Sequence, residues 1–395
     1  MKKKLFHIYL FTFGFVYYLV LPYVVVCLNI LDDYPGMDWL YEYNIMNHSK
    51  LYITCCFYFY LSFIMGSLFP LLFYRKSFIY RNNYCTISRK DQFIFISPII
   101  MLALGLTVVH RGDLFQGYRN EYDATYLGQI ATTNLILLFW FIYNRFKFGL
   151  HYNKFDKLFL ILLIVFSIVL LGLGSRMYVL LPIISYLLYA VDVKLLKPSK
   201  IILYFAVFTI LLLLVGLWRV GQDFSFEDML YIGIAEPCFT WISAISMFDK
   251  THEIACFYLP YNYISSFLNF LPTMLVPDKI SLISPISLPF DAPLGARSVL
   301  LSVISNFGLV GGCLFLFMFG SFFSVIRLYG NKIFWKVYYI CICSILPFQF
   351  FRDELSIINK MIFFNFLFVP IVMKLTCRLC INIKNKYNFN YGHHI

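Results

Sequence analysis

Long apolar runs separated by short polar segments extend over almost the whole chain. A helix that crosses a membrane needs about 20 predominantly apolar residues, and about ten runs meet this requirement. The predicted spans are 5–30, 51–73, 92–109, 126–144, 158–174, 177–191, 201–217, 298–326, 333–351 and 357–376. The pattern therefore predicts an all-α fold, a polytopic transmembrane bundle of about ten spans.

The long segment 218–297 interrupts this pattern with eight acidic and four basic residues. It also contains two apolar blocks, 229–248 and 257–276, which we expect to be helices that lie on or dip into the outer leaflet. If one of these blocks alone crossed the membrane, every later loop would lie on the opposite side of the membrane. If both blocks were re-entrant halves, the later loops would keep their predicted sides. We therefore divide the chain into an N-terminal bundle of seven spans (1–217), a large helical outer loop (218–297), and a C-terminal bundle of three spans with a cytoplasmic tail (298–395).

Composition supports a membrane protein. Of the 395 residues, 61% are hydrophobic and only 13% are charged, and the mean hydropathy is +0.76. A soluble domain has about 25% charged residues, and it could not bury this much apolar surface. The basic start Met1–Lys4 resembles a signal peptide. However, the apolar stretch that follows is too long for one and lacks a small-residue cleavage site, so we expect it to remain as the first span.

The charges of the connecting segments predict the orientation. Loops rich in Lys and Arg remain in the cytoplasm. The segments that this rule places there are 1–4, 74–91, 145–157, 192–200, 327–336 and 374–395, with 22 basic and three acidic residues. The remainder holds the other ten basic and 17 acidic residues. Both termini are thus expected in the cytoplasm of a bacterium, with the protein in its inner membrane. The net charge of +12 follows from topology and gives no reason to propose nucleic-acid binding.

Motifs of soluble enzymes are absent from the sequence. It has no phosphate-binding Walker loop, no dinucleotide-binding glycine pattern, no His-Glu-x-x-His motif and no pair of Cys-x-x-Cys motifs. The few histidines include His7 in the first span and two in the tail. We therefore predict no cofactor and no metal site.

Arginine is unexpectedly frequent on the predicted outer side. The cytoplasmic segments hold 16 Lys and six Arg, whereas the outer segments hold four Lys and six Arg. The outer arginines are Arg111, Arg119, Arg176, Arg219, Arg297 and Arg352. A guanidinium keeps its charge when partly buried and binds phosphate oxygens through two hydrogen bonds. The set therefore indicates a diphosphate site, although each arginine could instead pair with a loop acid such as Asp113, Asp223 or Asp353.

Arg176 is the most informative of these arginines. It follows Gly174-Ser175 at the tip of a predicted hairpin, whose arms of about 15–18 residues span roughly 22–27 Å. A hydrocarbon core is about 30 Å thick, so we expect the tip to lie below the outer surface. An intramembrane cation indicates a functional site, although the side chain could also extend to the lipid headgroups.

Arg219 and Arg297 lie at the two ends of the long loop, each next to a predicted helix. They could converge with Arg176 on one diphosphate. With Arg111 from the outer face, these residues form the predicted diphosphate-binding set.

Two carboxylates are candidates for a general base. Asp291 precedes Arg297 by six residues, and Glu236 lies in an apolar block where burial would raise its pKa. His252 is the only histidine of the long loop, and we expect it to be a solvated loop residue. The sequence leaves the choice between Asp291 and Glu236 open.

The overall layout resembles the Wzy-type polymerases of O-antigen and related polysaccharides. The shared features are the ten or more spans, the Gly-Ser-Arg hairpin tip and the large loop before the last third. The most specific stretches are Gly295-Ala296-Arg297 and Ser305-Asn306-Phe307-Gly308-Leu309-Val310-Gly311. Members similarly have an asparagine or aspartate, Phe-Gly and a further Gly where the helix after the loop begins. Arg176 and Arg297 match positions where members have arginines.

The resemblance implies a membrane glycosyltransferase of the GT-C type. Such an enzyme transfers the growing chain from undecaprenyl diphosphate to the non-reducing end of a new lipid-linked repeat unit, without a nucleotide sugar. Its implied partners are both lipid-linked saccharides, membrane lipid and a Wzz-type chain-length co-polymerase. A lipid-linked oligosaccharide flippase and an O-antigen ligase are the alternatives. The long loop argues against the flippase, and the Thr251-His252-Glu253 context argues against the ligase.

Overall fold

The computed structural model describes residues 4–30, 37–43, 45–74, 88–115, 125–149, 151–197, 226–250, 253–271, 276–292 and 295–391, with scattered positions between 200 and 217. Over these residues the protein is helical and has no strand. The longer helices are α1 (Phe6–Cys27), α2 (Ile45–Leu72), α3 (Arg89–Val109), α4 (Thr125–Phe148), α5 (Lys154–Gly172), α6 (Met177–Asp192), α7 (Phe226–Lys250), α8 (Val299–Tyr329), α9 (Ile333–Ile345) and α10 (Leu355–Cys380, continuing as helix to Tyr391).

Eight of these helices are long and apolar enough to cross a membrane, and only α6 and α9 are shorter. The sequence thus correctly predicts a polytopic helical membrane protein. The described positions of the predicted span 201–217 are all helical. The apolar block 229–248, predicted as a helix that does not cross, belongs to α7 and has the length and apolarity of a crossing helix. In the second block, 257–276, the described residues form the short helices Tyr261–Ser265 and Ser266–Phe270.

Helices α2 and α8 pack with their backbones in close contact. A Cβ atom at Gly66 would overlap the Phe317 carbonyl, and one at Gly320 would overlap the Phe63 carbonyl. The Ser321 hydroxyl donates to the Gly66 carbonyl at 2.9 Å. Small residues are how membrane helices approach closely enough for van der Waals packing, because lipid supplies no hydrophobic drive.

Helix α4 lies in the interior of a second group of helices. Its residues from Leu135 to Ile142 are all at most 3% exposed, and it contacts α3, α5, α6 and α9. A helix that is apolar on all sides is buried by other helices rather than exposed on one face. Helix α4 therefore forms the core around which the short helices α6 and α9 are arranged.

The ends of several helices meet at one end of the molecule. Arg327 at the end of α8 forms an ion pair with Asp192 at the end of α6 and donates to the Lys4 carbonyl at 3.0 Å. Tyr189 of α6 donates to the Arg145 carbonyl at the end of α4 at 3.0 Å. We call this end of the molecule the N-terminal end. The residues that meet there belong to segments that the charge pattern assigns to the same side of the membrane.

Helix α8 is broken at Gly308, where φ is +76°. The extended segment Ala255–Tyr258 fits against the break: Leu309 N donates to Ala255 O at 3.1 Å, and Tyr258 N donates to Phe307 O at 3.2 Å. These bonds satisfy backbone groups that the break removes from the helical ladder. The break therefore fixes the segment after α7 to α8.

Candidate functional site

Five charged side chains from three parts of the chain meet at one place, which we call the charged cluster: Glu236, Arg297, Arg352, Asp353 and Glu354. Arg297 forms an ion pair with Glu354. The Arg352 Nε lies 3.4 Å from Glu236 Oε1. The four ion-paired side chains are between 21% and 37% exposed, so the cluster is open to solvent. It therefore offers both cations and carboxylates to a polar ligand.

The charged cluster lies at the depth of the middle of α1. The Phe351 ring stacks on Tyr18 with centroids 6.2 Å apart and packs directly against Gly14. The Tyr18 hydroxyl donates to Glu236 Oε1 at 3.5 Å. Because Gly14 and Tyr18 are near the centre of a helix that runs from Phe6 to Cys27, the cluster lies well inside the bundle.

The shortness of α9 produces this depth. Pro347 lies two residues after Ile345, the last residue of α9. It has no N–H to donate to the carbonyl four residues earlier, so it cannot continue the helical hydrogen bonds, and Phe348 leaves the helical conformation with φ −134° and ψ −66°. At about 1.5 Å per residue, the 13 residues of α9 reach roughly 20 Å. The chain then turns through the short helix Gln349–Arg352 before α10 begins. The three charged residues 352–354 are thus held partway across the bundle.

Arg297 is held in place from two sides. Its guanidinium carbon lies 5.2 Å from the centre of the Phe290 ring. The next residue, Ser298, caps α8 by accepting from Leu300 N at 3.3 Å, and its own N–H donates to Ser243 Oγ of α7 at 2.7 Å. Burial lowers the pKa of Arg297. Its guanidinium is therefore partly desolvated, and desolvation strengthens its attraction to an anion.

Arg176 is adjacent to the charged cluster. Helix α5 ends in a Schellman motif, in which Gly174 has φ +95° and Ser175 N donates to Leu170 O at 2.8 Å. Arg176 then precedes α6, and it interacts electrostatically with Tyr17 of α1. Among the described residues, no carboxylate forms an ion pair with Arg176.

Two tyrosines connect Arg176 with the cluster. The Tyr17 hydroxyl donates to the Gly233 carbonyl of α7 at 2.5 Å and also interacts electrostatically with Glu236. Tyr178, two residues after Arg176, interacts electrostatically with Asp353 and Arg352. The structure therefore brings Arg176, Arg297 and Glu236 of the sequence-predicted set to one region.

Asp353 differs from the two glutamates of the cluster because no described cation forms a salt bridge with its carboxylate. It accepts a hydrogen bond from the Gln349 amide. Burial raises the pKa of Asp353 to about 6, with Glu236 adding to the rise, while Arg352 and the Gln349 amide act in the opposite direction. A carboxylate with such a pKa can accept a proton near neutral pH.

Asp291, the other predicted base, lies away from the charged cluster. Its carboxylate forms an ion pair with Lys250 at the end of α7 and accepts from the Tyr43 hydroxyl at 2.6 Å. These two hydrogen bonds lower the pKa of Asp291. Its backbone N–H donates to Ser246 Oγ at 2.7 Å. Asp291 thus attaches the loop before Arg297 to α7. Its role in this arrangement is structural.

The remaining predicted residues are Arg111, Arg219 and His252. Arg219 and His252 fall outside the described residues. Arg111 is exposed in the turn Arg111–Asp113. Phe115, just after this turn, donates its N–H to Gly172 O at 2.9 Å. Arg111 is therefore near the α5–α6 hairpin, but no contact among the described residues joins it to Arg297 or Arg352.

The sequence does not predict that residues 352–354 belong to one cluster with Glu236 and Arg297. It places Arg352 among the outer arginines and Asp353 among their pairing partners. The available signal was the run Arg352-Asp353-Glu354 in an otherwise apolar region, since charges at membrane depth indicate function. The preceding Pro347 was the second signal, because it ends α9 early.

The arrangement can bind an anion and accept a proton at neighbouring positions. Arg352 interacts with the Asp353 carboxylate, Arg297 pairs with the neighbouring Glu354, and Arg176 lies near Tyr17 beside the cluster. Among the described residues no group of three His, Cys, Asp or Glu side chains could hold a metal ion. The π-helical stretch Val16–Val20 contains Tyr18, whose hydroxyl donates to Glu236 of the cluster, and such stretches occur frequently at functional sites. No family model, curated protein or solved structure matches this chain.

Proposed function

We propose that the chain is a polymerase of lipid-linked saccharides, a glycosyltransferase of the GT-C type in the bacterial inner membrane. Both termini lie in the cytoplasm, and the charged cluster opens to the periplasmic side. The growing polysaccharide moves from undecaprenyl diphosphate to the non-reducing end of a new lipid-linked repeat unit. The observation that supports the proposal most is the charged cluster itself, which holds arginines and carboxylates partway across an apolar bundle. Among them, Asp353 forms no ion pair with a described cation and accepts a hydrogen bond from Gln349.

The arginines take the diphosphate of the donor. Charge develops on this leaving group as the bond between its oxygen and the anomeric carbon breaks. Preorganised cations in a region of low dielectric stabilise such charge more strongly than water does. Arg176 has no carboxylate partner among the described residues, and Arg297 and Arg352 each have one glutamate. A guanidinium has five donors, so both can bind phosphate oxygens as well as their glutamates.

Asp353 takes the proton of the acceptor. The acceptor hydroxyl oxygen attacks the anomeric carbon and forms the new glycosidic bond, while undecaprenyl diphosphate leaves with the electron pair of the broken bond. The hydroxyl proton passes to the Asp353 carboxylate. Glu236 is the second candidate for this role, but its carboxylate already forms an ion pair with Arg352.

The proposal is tested by deleting the gene in its own host and separating the lipopolysaccharide on a gel. Loss of a polymerase leaves the core with one repeat unit. Loss of a ligase leaves bare core, and loss of a flippase leaves little or no O-antigen. A ladder that remains unchanged after deletion contradicts the proposal.

The site is tested by returning variants to the deletion strain. We expect Arg176→Ala and Arg297→Ala to give the one-repeat pattern at normal protein level, since loss of one such donor costs about 10²–10³ in rate. The corresponding Arg→Lys variants restore only short ladders, because lysine lacks the planar fork. Lys50→Ala, at an exposed cation outside the site, is the control and keeps the full ladder. Full ladders from both Arg→Ala variants would contradict the assignment.

A further inference from the structure

A cavity of about 440 Å³ lies between α5 and α6, and we call it the α5–α6 groove. On α5 it is lined by residues 160, 163, 164, 167, 168 and 171. The spacing of three and four residues places all of them on one face of the helix. On α6 it is lined by five residues from Val179 to Leu187. Its volume falls within the range of about 300–1,000 Å³ that is typical of ligand sites.

The groove is long, narrow and apolar. From Leu160 to Leu171 it follows α5 for eleven residues, or roughly 16 Å at about 1.5 Å per residue. Apart from the hydroxyls of Ser167, Tyr152 and Tyr186, its lining side chains are hydrocarbon. Ile164 and Ile168 are half exposed, so the groove opens along its length to the surrounding lipid. This shape fits an extended hydrocarbon chain rather than a compact ligand.

The two ends of the groove differ in chemistry. At one end Leu171 and Val179 lie within about one and a half turns of Arg176 along the chain. At the other end Tyr152 forms part of the lining, and its ring lies 3.9 Å from the Arg145 guanidinium carbon. Arg145 in turn is held by Asp156 at 2.8 Å. One end therefore leads to a cation without a described carboxylate partner, whereas the other is closed by an aromatic ring that an ion pair fixes.

We infer that the α5–α6 groove binds the polyprenyl chain of a lipid diphosphate whose head lies at Arg176. This inference rests on the proposed function, and it assigns the lipid-binding part of the site to named helices. A single polyprenyl chain fits a groove formed by one face of each of two neighbouring helices. A bilayer phospholipid has two chains, and its headgroup lies at the membrane surface, above the level of Arg176 beside the middle of α1.

The test uses the full chain in phosphatidylethanolamine nanodiscs and a farnesyl diphosphate that carries a photoreactive diazirine at the end of its chain. After illumination, mass spectrometry locates the label. We expect it on the peptides that contain residues 160–171 and 179–187. Excess unlabelled farnesyl diphosphate should abolish the labelling, whereas the same excess of phosphatidylglycerol should leave it. Labelling elsewhere, or equal competition by phosphatidylglycerol, would overturn the inference.

Two matched variants of α5 test the groove itself. Ile168 lines the groove and is 51% exposed, whereas Ile161 is 56% exposed on the same helix and does not line it. Ile168→Trp should fill the groove and reduce labelling about tenfold, as expected for the loss of a few apolar contacts, whereas Ile161→Trp should not reduce it. Ile164→Phe provides a second filling variant if Ile168→Trp does not elute as a folded protein. Equal labelling of filled and control variants contradicts the inference.

One further comparison tests the binding of the diphosphate head separately from the binding of the hydrocarbon chain. Arg176→Ala should weaken labelling by the diphosphate probe but not by the corresponding alcohol, which lacks the anion. Equal effects on both probes would contradict the placement of the head. If the groove is labelled while the deletion strain keeps its ladder, the groove stands and the proposed function fails. If the ladder is lost while the label lies elsewhere, the function stands and the groove fails.

Discussion

Asp353 lies between two residues that are each engaged in an ion pair. Arg352 contacts Glu236, and Glu354 contacts Arg297. These contacts position the loop, and among the described residues the Asp353 carboxylate accepts its hydrogen bond from a neutral amide, that of Gln349. The two outer charges of the triplet thus hold the middle one at membrane depth, where burial sets its pKa.

The pH dependence of transfer tests the role of Asp353. Its raised pKa of about 6 means that the carboxylate is protonated below this pH and ionised above it. Because a base must be ionised, the rate of chain extension in vesicles should rise as the pH increases through about 6. Asp353→Asn should lower the rate about 10²–10⁴-fold and remove this dependence.

Thermal unfolding separates a catalytic Asp353 from a merely structural one. A carboxyl whose pKa is raised on folding destabilises the folded state once the pH exceeds its unfolded pKa, because the unfolded chain ionises more readily. At pH 7, Asp353→Asn should therefore melt no lower than the original protein. A large fall in melting temperature would show that the carboxylate stabilises the fold, and loss of activity would then have a structural cause.

Gly308 determines the break in α8. Its φ of +76° is unfavourable for other residues, and an added Cβ would lie 2.6 Å from the carbonyl oxygens of Ala255 and Cys256. Gly308→Ala should therefore destabilise the protein by about 1–2 kcal/mol or more, measured as a lower melting temperature in detergent. Gly105→Ala is the control, because nothing lies within 4 Å of an added Cβ there. Equal melting of the two variants would contradict this account.

At the level of elements, the short helices α6 and α9 create the site. They have 16 and 13 residues, or roughly 24 and 20 Å, so both end inside a core of about 30 Å. Arg176 immediately precedes the first residue of α6, and Arg352 follows the last residue of α9 by seven residues. The surrounding longer helices shield both ends from lipid, which allows polar backbone and charged side chains at this depth.

The sequence predicts the helices more accurately than it predicts which charged side chains pair. The hydropathy pattern correctly gives a helical membrane protein, and the short arms around Arg176 are visible from residue counts. Pro347 ends α9 early, but it lies inside the longer span, 333–351, that the hydropathy pattern predicts. Which acid meets which arginine depends on tertiary packing. Asp291 is six residues from Arg297, yet the structure pairs Arg297 with Glu354, and Asp291 with Lys250.

The contact between α2 and α8 yields a prediction about packing. Gly66 and Gly320 have no space for a Cβ atom, because the backbone of the partner helix lies directly opposite. Gly66→Ala should force the helices apart and lower the melting temperature. Gly128→Ala in α4 is the control, since an added Cβ there meets nothing within 4 Å. An unchanged melting temperature for Gly66→Ala would show that the two helices can separate without cost.

At the scale of the whole molecule, charged groups mark the two ends of α8. Lys4, Asp192 and Arg327 meet at the N-terminal end, where α8 finishes, whereas Arg297 of the charged cluster lies just before the start of α8. The end of α7 lies at this end of α8, because Trp241 donates to the Tyr52 hydroxyl near the start of α2 at 2.7 Å. Helix α7 therefore runs from Gly233, which lies at the level of Tyr17 in α1, toward the end of the molecule where α8 begins.

The path of the chain around α7 decides the topology, and labelling can follow it. Single cysteines at Lys200, Gln222 and Glu253, in a chain freed of its own cysteines, are treated with an impermeant maleimide on intact spheroplasts and again after lysis. If both termini are cytoplasmic and 218–297 is periplasmic, Gln222→Cys and Glu253→Cys react at once, and Lys200→Cys reacts only after lysis. If α7 crosses the whole membrane instead, Gln222→Cys also requires lysis, because α7 lies between it and Glu253. That result would make α7, rather than 201–217, the helix that returns the chain to the outer side before α8. Labelling of Lys200→Cys before lysis would contradict the cytoplasmic side itself, since Lys200 follows the end of α6 that pairs with Arg327.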